Sequence, residues 1–258
     1  MNPARLEIRV LGPYGGSAPG CRLTTFLIGA DTAFDAGALT ESLALPAQRA
    51  VRRVVLTHAH FDHVASLPFL AANRLGAAGA PLEVLAPEPV LDALRRHVFN
   101  DATWPDFTRL PSRARPTIRY RALAEGKPAR AGSLTVTPWA VRHVVPAYGY
   151  VVSRGGRSVV FSGDTAPTER LWEAARRAPG VAAVFLECSF SNGEARLAED
   201  SLHLTPALVA AELPKAPPRV PVYLYHLKPF SLARIRREVA SIRERRLTLL
   251  APGRVFRF

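Results

Sequence analysis

A dense cluster of metal-ligand types follows a run of β-branched and aliphatic residues in this chain. Residues 51–56 are of the kind that forms a buried strand, and the cluster Thr57-His58-Ala59-His60-Phe61-Asp62-His63 follows directly. The polar side chains would therefore lie where that strand ends. A strand cap with solvated histidines is the alternative, but unrelated surface histidines rarely occur beside an aspartate at this spacing.

The spacing within the cluster suggests two adjacent metal positions. Side chains alternate in direction along a strand, so we expect His58 and His60 to point the same way and to bind one ion together. Asp62 and His63 follow in a tightening turn, where they could face a second ion. Neutral imidazoles and a carboxylate are ligands that zinc and similar divalent metals accept.

Length and composition favour a globular protein. We expect one domain over residues 1–258, built from two αβ halves, with 48% apolar residues and no apolar run long enough to cross a bilayer. Residues 1–10 lack the apolar core of a secretory signal. Cys21 and Cys188 are too few for a disulfide framework. A cytoplasmic protein with no membrane association is the expectation.

The strong positive charge raises the question of a nucleic-acid partner. The net charge is +13, and lysine occurs only at positions 127, 215 and 228, so arginine carries nearly all of it. Arginines recur along predicted helices, as in residues 234–237, and we interpret these runs as solvated helix faces. A diffuse positive field would attract a small anionic substrate as well as RNA.

Strands and helices alternate along both halves of the chain. Strands are predicted at residues 6–11, 23–28, 32–34, 51–56, 82–85, 134–137, 148–153, 158–161, 181–186 and 222–225. Helices are predicted near residues 64–75, 88–99, 168–177 and 205–213, and from 232 onward. Strands grouped in each half with helices outside imply an α+β fold, in which two facing sheets and their outer helices form a four-layer αββα sandwich.

Further residues of ligand type stand at the ends of later strands. His143, Asp164 and His226 each follow an apolar strand, and these ends are expected to converge with the first cluster at one edge of the sandwich. For each residue alone a structural role is the simpler explanation. The combination carries the inference, since it leaves only His97 and His203 of the seven histidines unassigned to metal.

Residues 57–63, together with His143, Asp164 and His226 in that order, resemble the metallo-β-lactamase superfamily of dinuclear hydrolases over nearly the whole chain. The resemblance implies the αββα sandwich and two divalent ions, with zinc expected first and manganese, iron or magnesium as alternatives. It implies that Asp164 bridges two ligand sets, which are His58, His60 and His143 on one ion and Asp62, His63 and His226 on the other.

Within that superfamily the chain is most similar to class II 3',5'-cyclic-nucleotide phosphodiesterases. The matching segments are residues 58–67, 100–101 with 104–105, 186–192, 203–206 and 226–229. Members often have leucine where Phe61 stands and glycine near Ser66 and before His203, where this chain has Leu202. The resemblance implies a small cyclic-nucleotide substrate, with the choice between cAMP and cGMP left open, as is homodimer formation.

Two metal ions imply a mechanism for such a reaction. Divalent ions about 3.5–4 Å apart can hold a shared hydroxide and lower its pKa toward about 7. We expect this metal-bridging hydroxide to attack phosphorus in line, so that the 3' oxygen leaves and a nucleoside 5'-monophosphate forms. Asp62 counts among the catalytic residues as well as among the metal ligands.

The leaving oxygen then needs a proton. Glu187 follows the predicted strand 181–186, and His203 lies just before the predicted helix start at Thr205, so the two could meet near the metals. A histidine oriented by a glutamate can contact the substrate and donate that proton. Similar ribonucleases of the superfamily carry a Glu and a His at comparable places. The alternative makes Glu187 a surface carboxylate and His203 a helix cap.

Three residues are candidates for substrate contact outside the metal cluster. Trp104 and Phe107 could stack on a nucleobase, which contributes about 1–3 kcal/mol, or could equally be core residues. Lys228 follows His226 by two positions and could face phosphate.

Other functions stay in competition with cyclic-nucleotide hydrolysis. A tRNA 3'-processing endonuclease of the same superfamily would suit the positive charge, although no Gly- and Lys-rich arm interrupts this sequence. A hydrolase of lactones or thioesters ranks third. A non-catalytic nucleic-acid-binding relative would be expected to have lost ligands, and none is missing from the pattern.

Overall fold

Two mixed β-sheets face each other in the computed structural model, which describes residues 5–77, 79–243 and 246–258. The strands in chain order are β1 (Glu7–Gly12), β2 (Thr25–Ile28), β3 (Thr32–Phe34), β4 (Arg53–Val55), β5 (Leu82–Ala86), β6 (Pro111–Ser112), β7 (Arg115–Pro116), β8 (Ile118–Ala122), β9 (Ala129–Ala131), β10 (Leu134–Ala140), β11 (Tyr148–Arg154), β12 (Arg157–Phe161), β13 (Val181–Glu187), β14 (Val222–Tyr225), β15 (Leu247–Leu249) and β16 (Val255–Arg257). The helices are α1 (Leu39–Ser42), α2 (Leu45–Ala50), α3 (Phe61–Val64), α4 (Leu67–Ala72), α5 (Glu88–His97), α6 (Arg170–Arg177), α7 (Ala195–Asp200), α8 (Pro206–Glu212) and α9 (Leu232–Ser241). Residues 1–4 lie outside the described residues, and they belong to the segment 1–10 from which we predicted that no secretory signal is present.

The two large sheets share one plan. Within the described residues the first has the order β16-β1-β2-β3-β4-β5-β8 and the second β15-β14-β13-β12-β11-β10-β9. In each sheet an antiparallel meander gives way to parallel pairing, at β3–β4 in the first and β12–β13 in the second. Parallel strands end at the same edge, so the residues that follow them are brought together.

Aromatic side chains fill the space between the sheets. Phe34 of the first sheet stacks on Phe161 of the second with ring centroids 4.3 Å apart, and Phe26 meets the same ring edge-on at 5.1 Å. A second core lies between the first sheet and α1, α4 and α5, and a third between the second sheet and α6, α8 and α9. The α+β fold with four αββα layers is confirmed.

Several elements differ from the sequence prediction. The predicted helix at 64–75 begins earlier, as α3, and breaks before α4, where Ser66 bonds through Oγ to the carbonyl of Gly37 instead of continuing one helix. The short elements β9, β15, β16 and α7 were not predicted, because three to six residues carry little periodicity. Strand β16 pairs with β1, so the strands are not grouped strictly by halves.

None of the helices in the described part of the chain could span a bilayer, since even the longest have ten residues.

Candidate metal centre

Polar residues follow the carboxyl ends of several strands at one edge of the two sheets. Thr57 and His58 follow β4, Asp164 follows β12, and His226 follows β14, while Glu187 is the last residue of β13. Strands β12, β13 and β14 run parallel, so their ends coincide. The predicted convergence of strand ends is therefore present in the fold.

The first group combines His58, His60, His143 and Asp164, each of which offers one ligand atom, and these four atoms all lie within 4.8 Å of one another. His143 Nε2 is 3.1 Å from His60 Nδ1, and His58 Nε2 is 3.6 Å from Asp164 Oδ2. Strand β4 contributes less than predicted, because it ends at Val55 and both His58 and His60 lie in the loop that follows it. The loop, and not strand alternation, brings His58 and His60 together.

The second group combines Asp62, His63 and His226. Asp62 and His63 stand in the short helix α3, and His226 Nε2 lies 3.1 Å from Asp62 Oδ2. Asp164 Oδ2 is 3.3 Å from His63 Nε2 and 3.2 Å from His226 Nε2. The Asp164 carboxylate therefore lies between the two groups, as a bridging ligand would.

Three buried polar atoms in this centre lack any hydrogen-bond partner among the described residues, namely His58 Nε2, His63 Nε2 and Asp164 Oδ1. Leaving such atoms unpaired away from water is costly unless a bound ligand compensates them. All three belong to groups with the donor chemistry of a divalent metal site. The residues present thus fit a pair of divalent ions.

Asp35 fixes the orientation of two of these histidines. Its Oδ2 accepts a hydrogen bond from His63 Nδ1 at 2.7 Å, and the Thr57 hydroxyl donates to the same oxygen at 2.9 Å. His58 Nδ1 lies 3.0 Å from Thr57 Oγ1 and donates to it. Both imidazoles therefore turn Nε2 toward the centre, and hydrogen-bond partners behind metal-binding histidines usually have this orienting role.

The electrostatics lower the pKa of most histidines of the centre. At His63 burial disfavours the charged imidazole, but the carboxylates of Asp164 and Asp35 outweigh it and raise the pKa well above its usual value. Burial lowers the pKa of His58 well below its usual value, and it lowers the pKa of His60 and His143 as well. Burial opposes ionisation of Asp164, but the neighbouring histidines outweigh it and hold the pKa of that carboxyl well below its usual range. Neutral imidazoles around an ionised carboxylate are what a divalent ion binds.

His226 is held by its backbone and by a close neighbouring glycine. Its φ is 61°, a left-handed conformation that residues other than glycine seldom adopt, and its amide donates to the carbonyl of Pro13 at 2.6 Å. A Cβ on Gly15 would lie 2.5 Å from the His226 ring. Only glycine at position 15 leaves room for the imidazole in this orientation.

Glu187 and His203 meet beside the metal centre. His203 Nδ1 lies 2.7 Å from Glu187 Oε1, and the two rings of His203 and His143 are 4.9 Å apart. Burial disfavours the charged imidazole, but Glu187 outweighs it and raises the pKa of His203. Ser189 Oγ lies 2.8 Å from Glu187 Oε2 and 2.9 Å from His226 Nδ1, so one hydroxyl joins this pair to a residue of the second ligand group.

The three predicted substrate contacts have different surroundings. Phe107 is 3% exposed and packs near Phe99 in the core, so the prediction that it stacks on a base is wrong and the core alternative describes it. Trp104 is half-buried and meets Phe69 edge-on with centroids 5.3 Å apart. Lys228 Nζ donates to the carbonyl of Gly15 at 2.6 Å and lies 3.3 Å from Asp62 Oδ2.

Asp35 and Ser189 were not singled out from the sequence. Asp35 directly follows β3, as other polar residues of the centre follow their strands, so the same signal could have identified it. Ser189 lies in segment 186–192, which resembles the phosphodiesterases, but serine is not one of the usual metal ligands. Only the folded chain shows its three buried polar neighbours, Glu187, His203 and His226.

The beta-lactamase superfamily domain is the family whose model matches this chain, over residues 25–226. The "Probable 3',5'-cyclic-nucleotide phosphodiesterase" of Yersinia pestis is 25% identical over 290 residues, which cover 89% of this chain and 80% of that protein. Ribonuclease BN of Cronobacter sakazakii is 26% identical over 121 residues, 45% of this chain and only 37% of that protein's length. Among solved structures, unliganded yeast PDE1 is similar with a TM-score of 0.79 at 17% identity, covering 98% of this chain and 99% of that one.

Proposed function

The chain belongs to the beta-lactamase superfamily domain family, and from this premise we propose that it is a dinuclear-metal phosphodiesterase that hydrolyses 3',5'-cyclic nucleotides to nucleoside 5'-monophosphates. The observation that carries the proposal is the buried pair Glu187–His203 beside two adjoining His/Asp groups. This pairing supplies a proton donor next to a centre suited to divalent ions, which is what the cleavage of a phosphodiester requires.

Seven residues would hold the metals in this proposal. When bound, two divalent ions would supply an activated water at neutral pH and neutralise charge on the phosphate oxygens. The ligand sets are His58, His60 and His143 for one ion and Asp62, His63 and His226 for the other, with Asp164 shared. Zinc is our first choice of metal, because imidazoles predominate in both sets.

The chain's own residues would then manage the leaving group. Nδ1 of His203 is engaged by Glu187, which leaves Nε2 as the nitrogen that can deliver a proton to the departing 3' oxygen. Glu187 also accepts from the amide of Thr165 at 3.0 Å and from the Ser189 hydroxyl. These contacts fix the carboxylate, and through it the imidazole, before substrate binds.

Exposed aromatic rings next to the centre would receive the nucleobase. Phe61 directly follows His60 and is 68% exposed, and Phe230 is equally exposed two residues after Lys228. Aromatic faces stack on bases without sequence preference. Lys228 would keep its contacts with Gly15 and Asp62 and lend positive charge to a bound phosphate.

Relatives of both kinds align over much of the chain. We rank the cyclic-nucleotide hydrolase first because the phosphodiesterase of Yersinia pestis aligns with 89% of this chain, while a ribonuclease Z of Bacillus licheniformis aligns with 67%. A tRNA 3'-processing endonuclease remains the second candidate, since a ribonuclease is among the relatives and the chain carries a net charge of +13.

Product analysis with two substrates separates these candidates. The metal-loaded protein would be incubated side by side with 3',5'-cAMP or 3',5'-cGMP and with an unprocessed tRNA precursor. Release of the nucleoside 5'-monophosphate with the precursor intact is the expected result. Cleavage of the precursor at its 3' end with both cyclic nucleotides untouched would replace the proposal with the endonuclease.

A further inference from the structure

Six arginines line one edge of the first sheet, at the amino ends of β4, β5 and β8. The metal centre lies beyond the carboxyl end of β4, so this surface faces away from it along the strands. We call this surface the arginine trough, and its arginines are Arg49, Arg52, Arg53, Arg74, Arg115 and Arg119.

The trough consists of three adjoining depressions of about 250, 420 and 400 Å³. The first and second share Arg119, the first and third share Arg74, and the second and third share Arg52. Shared walls make them one continuous concave surface rather than isolated pits. Such a shape suits an elongated ligand better than a single small anion.

Most of the positive charge here is not balanced by carboxylates. Arg53 pairs with Asp31 and Glu83, but the side chains of the four exposed arginines at positions 49, 52, 115 and 119 have no ion pair within the described part of the chain. An anion would therefore meet several unpaired guanidinium groups at once.

Arg74 is the least expected member of the set, because its side chain is only 8% exposed. It donates to the carbonyls of Arg49 and Val51 at 2.7 and 2.8 Å, and no carboxylate of the described residues pairs with it. Burial and repulsion from Arg52 lower the pKa of the Arg74 guanidinium. A buried charge without a counter-ion is stabilised when an anion binds nearby.

We propose that the arginine trough binds the sugar–phosphate backbone of RNA, independently of base sequence. Guanidinium groups match phosphate geometry, and a row of them contacts successive phosphates along a strand. Aromatic residues are absent from the described lining, so base stacking would contribute nothing. Leu75 is the one large exposed apolar side chain of that lining, which gives a membrane surface little to bury. This binding site goes beyond the proposed catalytic function, since it does not involve the metal centre.

The test measures binding of a short 2'-O-methylated RNA, which resists hydrolysis, to the full-length metal-loaded protein by fluorescence anisotropy across a salt series. The test variant is Arg52→Glu with Arg119→Glu, both exposed positions in the trough. The matched control is Arg157→Glu with Arg237→Glu, which changes the net charge equally at exposed positions of the other sheet and its covering helix α9. Circular dichroism checks that each variant is folded.

The trough variant is expected to bind RNA at least about tenfold more weakly. Its plot of log affinity against log salt should be shallower, with the magnitude of the slope reduced by about 1.4, while the control variant changes little. An equal loss in both double variants would overturn the proposal, because binding would then follow net charge alone. Absence of RNA binding by the unmodified protein, or binding to phosphatidylserine vesicles in its place, would also overturn it.

Discussion

His203 Nδ1 lies 2.7 Å from Glu187 Oε1, with the histidine 6% exposed and the glutamate fully buried. The glutamate carboxylate has two further donors, the amide of Thr165 and the hydroxyl of Ser189. Its position is therefore fixed by three hydrogen bonds from three places in the fold. The imidazole is oriented beside the metal ligands before any substrate arrives.

Replacing His203 by Ala is expected to slow hydrolysis by about 10²–10⁴-fold while leaving the bound metal unchanged, because the residue supplies a proton and no ligand atom is needed from it. Turnover and metal content would be measured on the same preparation. His97→Ala is the control, since His97 is exposed at the end of α5. An unchanged rate would remove His203 from the mechanism.

Replacing Ser189 by Ala is expected to lower kcat about tenfold, because Glu187 loses a donor and His226 Nδ1 loses an acceptor in a buried site. Ser189 would act by positioning the Glu187–His203 pair, so the effect should largely disappear in a His203→Ala background. Ser191→Ala is the control, since its hydroxyl bonds Glu194. The same tenfold loss in both backgrounds would contradict this role.

Replacing Gly15 by Ala is expected to weaken metal binding about 10–100-fold, because the new methyl would overlap the rigid His226 ring. Metal titration followed by calorimetry measures the effect. Gly193→Ala is the matched control, since a Cβ there meets its nearest atom at 3.7 Å and the backbone has an ordinary φ. Equal metal affinity in the two variants would show that Gly15 does not set the His226 orientation.

Buried Glu212 offers a stability test away from the centre. Its carboxylate accepts from Trp172 Nε1 at 2.6 Å and pairs with Lys215 at 2.6 Å. Glu212→Ala should lower the free energy of unfolding by about 2–4 kcal/mol, measured in urea, with kcat unchanged in the folded protein. Glu173 forms an exposed ion pair with Arg177 at 3.9 Å, and Glu173→Ala should lower the free energy of unfolding by less than about 0.5 kcal/mol. Similar losses for the two variants would contradict the account of Glu212.

Much of the fold was predictable because long apolar strands and amphipathic helices carry their own periodicity. The four-layer arrangement followed from strands grouped in each half with helices outside, and the convergence of polar residues followed from their places at the ends of apolar strands. The parallel pairing that aligns the ends of β12, β13 and β14 was not predicted. What the sequence did not indicate were contacts between distant segments. Strand β16, near the end of the sequence, pairs with β1, near its start, and Phe107 packs near Phe99 in the core.

The candidate centre shows the same division. Histidine and aspartate are common metal ligands, so His58 and Asp164 could be predicted as ligands from the sequence. Asp35, Ser189 and Gly15 act through distance and orientation, and the same residue types occur elsewhere in the chain without such a role. Residues that orient ligands are therefore harder to predict than the ligands themselves.

The proposed hydrolysis depends on Asp164, the carboxylate that two divalent ions would share. The most direct test compares the initial rate of 3',5'-cAMP hydrolysis by the unmodified protein and by Asp164→Ala, both in buffer replete with zinc or manganese. We expect the unmodified protein to release 5'-AMP and Asp164→Ala to show no measurable hydrolysis, with both proteins folded by circular dichroism. Retention of the full rate by Asp164→Ala would contradict the proposal, because the one carboxylate placed between both ligand groups would then be dispensable.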